Sequence, residues 1–181
     1  MARIPEIAAR EDLAQDKQHV FDAIVESRGR VVGPLALLLN SPEVAGRTAH
    51  LGTYIRFEST LSPADRELAI LTAARECDCQ VEWSAYTRLA REAGVRDEAI
   101  DVIGHHRTLD RLTQEEALIV AYGRELLGDH RVSDATFEAA RARYGDQGVT
   151  DLTATMGYYA MIACTLNAFE MVPPPDTSRL P

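Results

Sequence analysis

Apolar positions recur along this chain at the three-to-four spacing of helices, and no segment holds the strict alternation of a half-buried strand. The periodicity predicts a first helix over residues 6–26, stopped near Gly29. Gly33-Pro34 opens a short helical turn through Leu39, which Asn40-Ser41-Pro42 ends. Ser41 followed by Pro42 reads as the cap and first turn of a helix to about Glu58. Ser62-Pro63 repeats that grammar for a helix to about Glu76. Beyond Cys77-Asp78-Cys79 another helix runs to Ala93 and is closed by Gly94, and residues 97–103 predict a short one. Thr113 with Glu116 predicts a capping box opening a helix to Leu127, with Gly128 as the stop. Ser133 opens the next, ending near Tyr144-Gly145, and a last helix covers residues 147–171. Pro173-Pro174-Pro175 then ends the fold, because three prolines cannot continue a helix.

The expected class is all-α, with one domain over residues 1–172 and a Pro-rich C-terminal tail over residues 173–181. The length of 181 residues fits one core. Apolar content of 46% and charged content of 26% are ordinary for a globular protein. A net charge of -9 argues against nucleic acid, which needs a basic surface. The apolar run over residues 154–169 is shorter than the roughly 20 residues of a membrane span. A buried or subunit-facing helix is the better reading, and with it a homo-oligomer. The opening residues lack the apolar stretch of a signal peptide. Cys77, Cys79 and Cys164 are too few and too crowded for a disulfide framework. Both observations point to the cytoplasm.

The densest chemistry lies between Glu67 and Tyr86. On the helix from Pro63, Asp65, Thr72 and Glu76 form a polar stripe. Glu67 is turned roughly 200° from Asp65, onto the face of Ala64, Leu68, Leu71 and Ala74. A carboxylate in that setting should be desolvated and its pKa raised. On the next helix Gln80, Ser84, Thr87, Arg88 and Arg91 make the water-facing stripe. Cys79, Glu82, Trp83, Tyr86, Leu89, Ala90 and Ala93 face the core. Two inward glutamates require a backbone partner, an arginine such as Arg56 or Arg66, or a chemical role. His105-His106 reads as an exposed helix end, and no spacing suggests a metal site.

The strings Arg66-Glu67-Leu68-Ala69-Ile70-Leu71, Cys79-Gln80-Val81-Glu82-Trp83 and Leu89-Ala90-Arg91-Glu92-Ala93-Gly94-Val95 resemble the carboxymuconolactone decarboxylase and alkyl hydroperoxidase D-like superfamily. The likeness extends through Gly157-Tyr158-Tyr159 and Leu166-Asn167-Ala168-Phe169-Glu170, covering about residues 35–175. It implies an AhpD-like multi-helix bundle. In the hydroperoxidase branch the family's site is Glu, a Cys twelve residues on, a second Cys three further, and a His four beyond that. These positions fall here on Glu67, Cys79, Glu82 and Tyr86, so the second thiol and the imidazole are replaced. Cys77 could act as a resolving thiol for Cys79, although a C-x-C ring is strained. Tyr86 shuttles protons around neutrality less readily than His.

The resemblance implies an enzyme acting on a small molecule, with Glu67, Cys79, Glu82 and Tyr86 as catalytic candidates. Trp83, His50 and Arg56 are candidates for holding substrate, and no cofactor or metal is expected. Decarboxylase-type acid–base chemistry and thiol-dependent peroxide reduction both remain open. So does a non-catalytic oligomeric small-molecule-binding protein on the same scaffold.

Overall fold

The computed structural model describes residues 2–181, and among them there is no strand. Eight α-helices follow in order: α1 (Gln18–Arg28), α2 (Pro34–Leu38), α3 (Pro42–Thr53), α4 (Pro63–Glu76), α5 (Gln80–Glu92), α6 (Asp97–Gly104), α7 (Gln114–Gly123) and α8 (Asp134–Ala168). The all-α expectation therefore holds. Single wider π-type turns extend α3 over Tyr54–Glu58 and α7 over Arg124–Gly128. Among the described residues no helix is long and apolar enough to cross a membrane.

The chain forms two compact units, one of residues 2–58 with 165–171, the other of residues 59–164 with 172–181. In the first, α1 begins at Gln18 rather than near Glu6. Two isolated tight turns, Arg10–Asp12 and Gln15–Lys17, precede it. Asp12 accepts the Ala9 N–H at 3.3 Å, a local bond of the kind that competes with helix. Gly29 ends α1 at φ 77°, a left-handed conformation that glycine adopts without penalty. Val20, Ile24, Leu35, Leu37, Ala45 and Ile55 fill this unit's core. Helices α1 and α3 approach closely at Gly46, where an added Cβ would sit 3.2 Å from Val20 Cγ1. Ser41 precedes α3 as expected, yet among the described residues its side chain accepts no N–H from that helix.

The second unit is built around α4, which packs against α5, α6 and α7. Here the helix starts as its sequence indicates, with Ser62 Oγ accepting the Asp65 N–H at 3.1 Å. Residues 67–74 are all buried, so Thr72 of the expected polar stripe lies in the interior. Thr72 is fully enclosed and satisfies its hydroxyl by donating to the Leu68 carbonyl at 2.8 Å. Its methyl group leaves no room opposite: a Cβ on Gly123 of α7 would fall 2.5 Å from Thr72 Cγ2 and 3.1 Å from Met156 Cε. The capping box of α7 forms as its sequence predicts. The Thr113 N–H donates to Glu116 Oε2 at 2.9 Å, and the Glu116 N–H donates to Thr113 Oγ1 at 3.2 Å. Gly145, at φ 69° and ψ 178°, breaks α8 where the sequence places a boundary.

Candidate active site

The turn between α4 and α5 places the first candidate side chain. Asp78 takes a left-handed conformation at φ 47°. Its N–H donates to the Arg75 carbonyl at 3.0 Å, and the Cys79 N–H donates to the Ala74 carbonyl at 2.8 Å. This pair of bonds is the Schellman termination of a helix, with Asp standing where Gly is usual. Asp is among the few residues that tolerate this conformation, and Arg75 steadies it by an ion pair at 2.5 Å. The reversal is tight enough that Cys79 becomes at once the cap residue of α5.

Cys79 is 0% exposed. Burial pushes its thiol up to about 11, and the Glu82 carboxylate adds to the rise, while the N–H groups of Glu82 and Val81 pull the other way. At neutral pH the sulfur is therefore held as the protonated thiol. Cys77 is half-buried and is likewise pushed up to about 11, first by burial and then by the charges of Cys164, Glu76 and Asp78.

Glu82 stands in the first turn of α5 and Glu67 in the middle of α4, and both are buried. The inward phasing of the two glutamates expected from the sequence is thus present. Arg66 Nε lies 3.6 Å from Glu67 Oε1, which makes Arg66 one of the partners anticipated for it. One turn beyond Glu82, the Tyr86 hydroxyl shares a hydrogen bond of 2.8 Å with the Tyr159 hydroxyl of α8. Their rings meet edge to face, with centroids 5.1 Å apart, and Tyr158 abuts Tyr159 in the same manner at 5.3 Å. Cys79, Glu82 and Tyr86 thus follow one buried line along α5, ending on a pair of phenols.

Tyr159 was legible in the sequence only as part of a Gly157-Tyr158-Tyr159 string. The available signal was two adjacent bulky phenols in a helix otherwise rich in small residues. The water-facing stripe assigned to α5 needs correction. Ser84 and Thr87 are buried and donate to the carbonyls of Val81 at 2.9 Å and Trp83 at 2.6 Å. Such back-bonding lets short hydroxyl residues occupy an interior face.

The remaining candidates lie elsewhere. The Trp83 ring packs beside Gly104 and Pro181. His50 is exposed and belongs to the first unit, where it lines a half-open cavity of about 620 Å³ between α1 and α3, with His19, Tyr54 and Glu58. Arg56, in the same unit, holds its guanidinium 5.6 Å from the centre of the Phe57 ring. His106 is not merely an exposed helix end, since its Nε2 lies 2.8 Å from Oε1 of the nearly buried Glu76. Among the described residues no group of His, Cys, Asp and Glu is arranged to hold a metal ion.

The described residues thus form an all-helical fold in which Cys79, the cap residue of α5, lies in sequence between the buried Glu67 and Glu82. Residues 42–124 match the model of the carboxymuconolactone decarboxylase family. A peroxidase-related protein from Ralstonia eutropha JMP134, described as an alkylhydroperoxidase AhpD core, superposes with a TM-score of 0.76 at 16% identity, over 97% of this chain and 93% of that one. A peroxidase-related protein from Silicibacter sp. TM1040 gives 0.71 at 16% identity over 91% and 87%. The debrominase Bmp8 gives 0.70 at 14% identity over 96% and 91%. Residues 42–124 are thus similar to the carboxymuconolactone decarboxylase family, and the fold of the chain is that of the AhpD-like structures. No curated protein matches its sequence.

Proposed function

We propose that the protein is an enzyme that performs acid–base chemistry of the decarboxylase type on a small carboxylated molecule. The observation that carries this reading is the line of Cys79, Glu82 and Tyr86 on α5, in which a buried carboxyl group stands three residues after the thiol. In the reaction the bond to the departing carboxylate breaks, carbon dioxide leaves, and the electron pair moves into a conjugated carbonyl. A proton from the site then quenches the carbanion. Glu82 is the proton donor in this scheme. The Tyr86–Tyr159 pair supplies a hydrogen bond to the developing oxyanion. A thiol held protonated suits a bystander or proton-donating role better than nucleophilic attack.

Thiol-dependent reduction is the second reading, favoured by the place of Cys79 at the N-terminal cap of α5, an end that stabilises a thiolate. One comparison separates the two: carbon dioxide release from small carboxylated lactones against consumption of an organic hydroperoxide with a dithiol donor. The decarboxylase reading expects Glu82→Gln to reduce lactone turnover by at least roughly a hundredfold, with Cys79→Ser retaining most of it. Turnover that survives Glu82→Gln and vanishes in Cys79→Ser overturns it in favour of thiol chemistry.

A further inference from the structure

The tail that the sequence marks as the end of the fold is docked, and it is docked on α5. The side-chain amide of Gln80 grips both main-chain groups of Leu180: Nε2 donates to the Leu180 carbonyl at 3.1 Å, and Oε1 accepts the Leu180 N–H at 3.1 Å. The Leu180 side chain is only 8% exposed, and Pro173 is buried as well. Between them, Asp176 at φ 64° and a bond of 2.8 Å from Thr177 Oγ1 to the Pro174 carbonyl turn the chain. Gly104 provides the seat. A Cβ there would lie 3.0 Å from Trp83 Cζ2 and 3.2 Å from Pro181 Cδ, so the indole and the proline close over a bare backbone.

Gln80 is the residue after Cys79 and the first of α5. The first turn of any helix lacks inward partners for its N–H groups and is where fraying starts. In this helix that turn directly follows Cys79, the cap residue, and carries the buried Glu82. We propose that residues 172–181 are a strap that holds the first turn of α5 closed around Cys79, and that its release admits reagents and substrate to the thiol. The inference rests on reading the Cys79–Glu82–Tyr86 line as the site. Its test measures access to the sulfur rather than turnover, so either idea can fail without the other.

The measurement is site-resolved labelling by N-ethylmaleimide at pH 8.5, read by peptide mass spectrometry, with the exposed Cys164 as internal reference. In Gln80→Ala, and in a chain lacking residues 176–181, Cys79 should label at least about tenfold faster than in the full chain, with the Cys164 rate unchanged. Adding a synthetic peptide of residues 172–181 to the shortened chain should slow Cys79 again. Circular dichroism verifies folding, and if the shortened chain does not fold, Gln80→Ala decides the matter. Ser62→Ala, which removes a cap from α4, serves as a variant weakened elsewhere. The proposal is overturned if Cys79 labels at the full-chain rate in Gln80→Ala. It is also overturned if the peptide leaves a folded shortened chain unprotected, or if Ser62→Ala accelerates Cys79 as much as Gln80→Ala does.

Discussion

Tyr86 is buried on α5, and its hydroxyl is tied to that of Tyr159 at 2.8 Å. Two buried phenols in mutual contact form a unit, because removing one oxygen deprives the other of this bond. Tyr86→Phe and Tyr159→Phe should each destabilise the protein by about 0.5–1.5 kcal/mol in urea unfolding. The double variant should cost clearly less than the two single costs added, since the bond between the two hydroxyls is lost only once. Strict additivity would show that the phenols are energetically independent. Sequence phasing placed Tyr86 on the buried side of α5, but it could not supply the partner. Tyr159 lies 73 residues further along the chain, and only the packing of α8 brings it there.

Among the helices, boundaries with a local chemical signal were legible and those set by packing were not. Ser62, Thr113 and Gly145 mark ends that their own side chains or backbone dictate. Ser41 offers the same letters as Ser62, yet only Ser62 turns its hydroxyl to a helix N–H. Ser62→Ala should therefore lower stability by about 1 kcal/mol, while Ser41→Ala should change it by less than about 0.5 kcal/mol, measured by thermal or urea unfolding. Equal losses would contradict the assignment of the cap. The facing of α4 was misjudged at Thr72 for a related reason. A threonine that bonds its own helix carbonyl can line a core, and periodicity alone treats it as a polar residue bound for water. Gln80 was assigned to water on the same ground, although Leu180, 100 positions away, satisfies its amide.

For the molecule as a whole, the buried ionisable groups set a limit on the alkaline side. Burial pushes Cys77 and Cys79 up to about 11 from an ordinary 9, and Tyr144 up to about 12 from an ordinary 10. All three are neutral when protonated, so the folded state keeps protons that the unfolded chain releases. Their contribution is complete below pH 9, declines between pH 9 and 11 for the thiols, and declines between pH 10 and 12 for the phenol. The urea midpoint should accordingly fall steadily from pH 9 upwards, and Tyr144→Phe should flatten the upper part of that decline. A midpoint that stays level to pH 11 would contradict the burial of these groups.

The corner between α4 and α5 has a consequence for how such proteins diversify. Cys79 is located by two main-chain bonds and the conformation of Asp78, none of which involves the sulfur. The corner acts as a socket: whatever side chain is installed at position 79 arrives at the same buried point, at the mouth of the same helix. The chemistry mounted there can be exchanged while the mounting stays fixed. In this chain the socket carries a thiol at the head of the helix face that bears Glu82 and Tyr86.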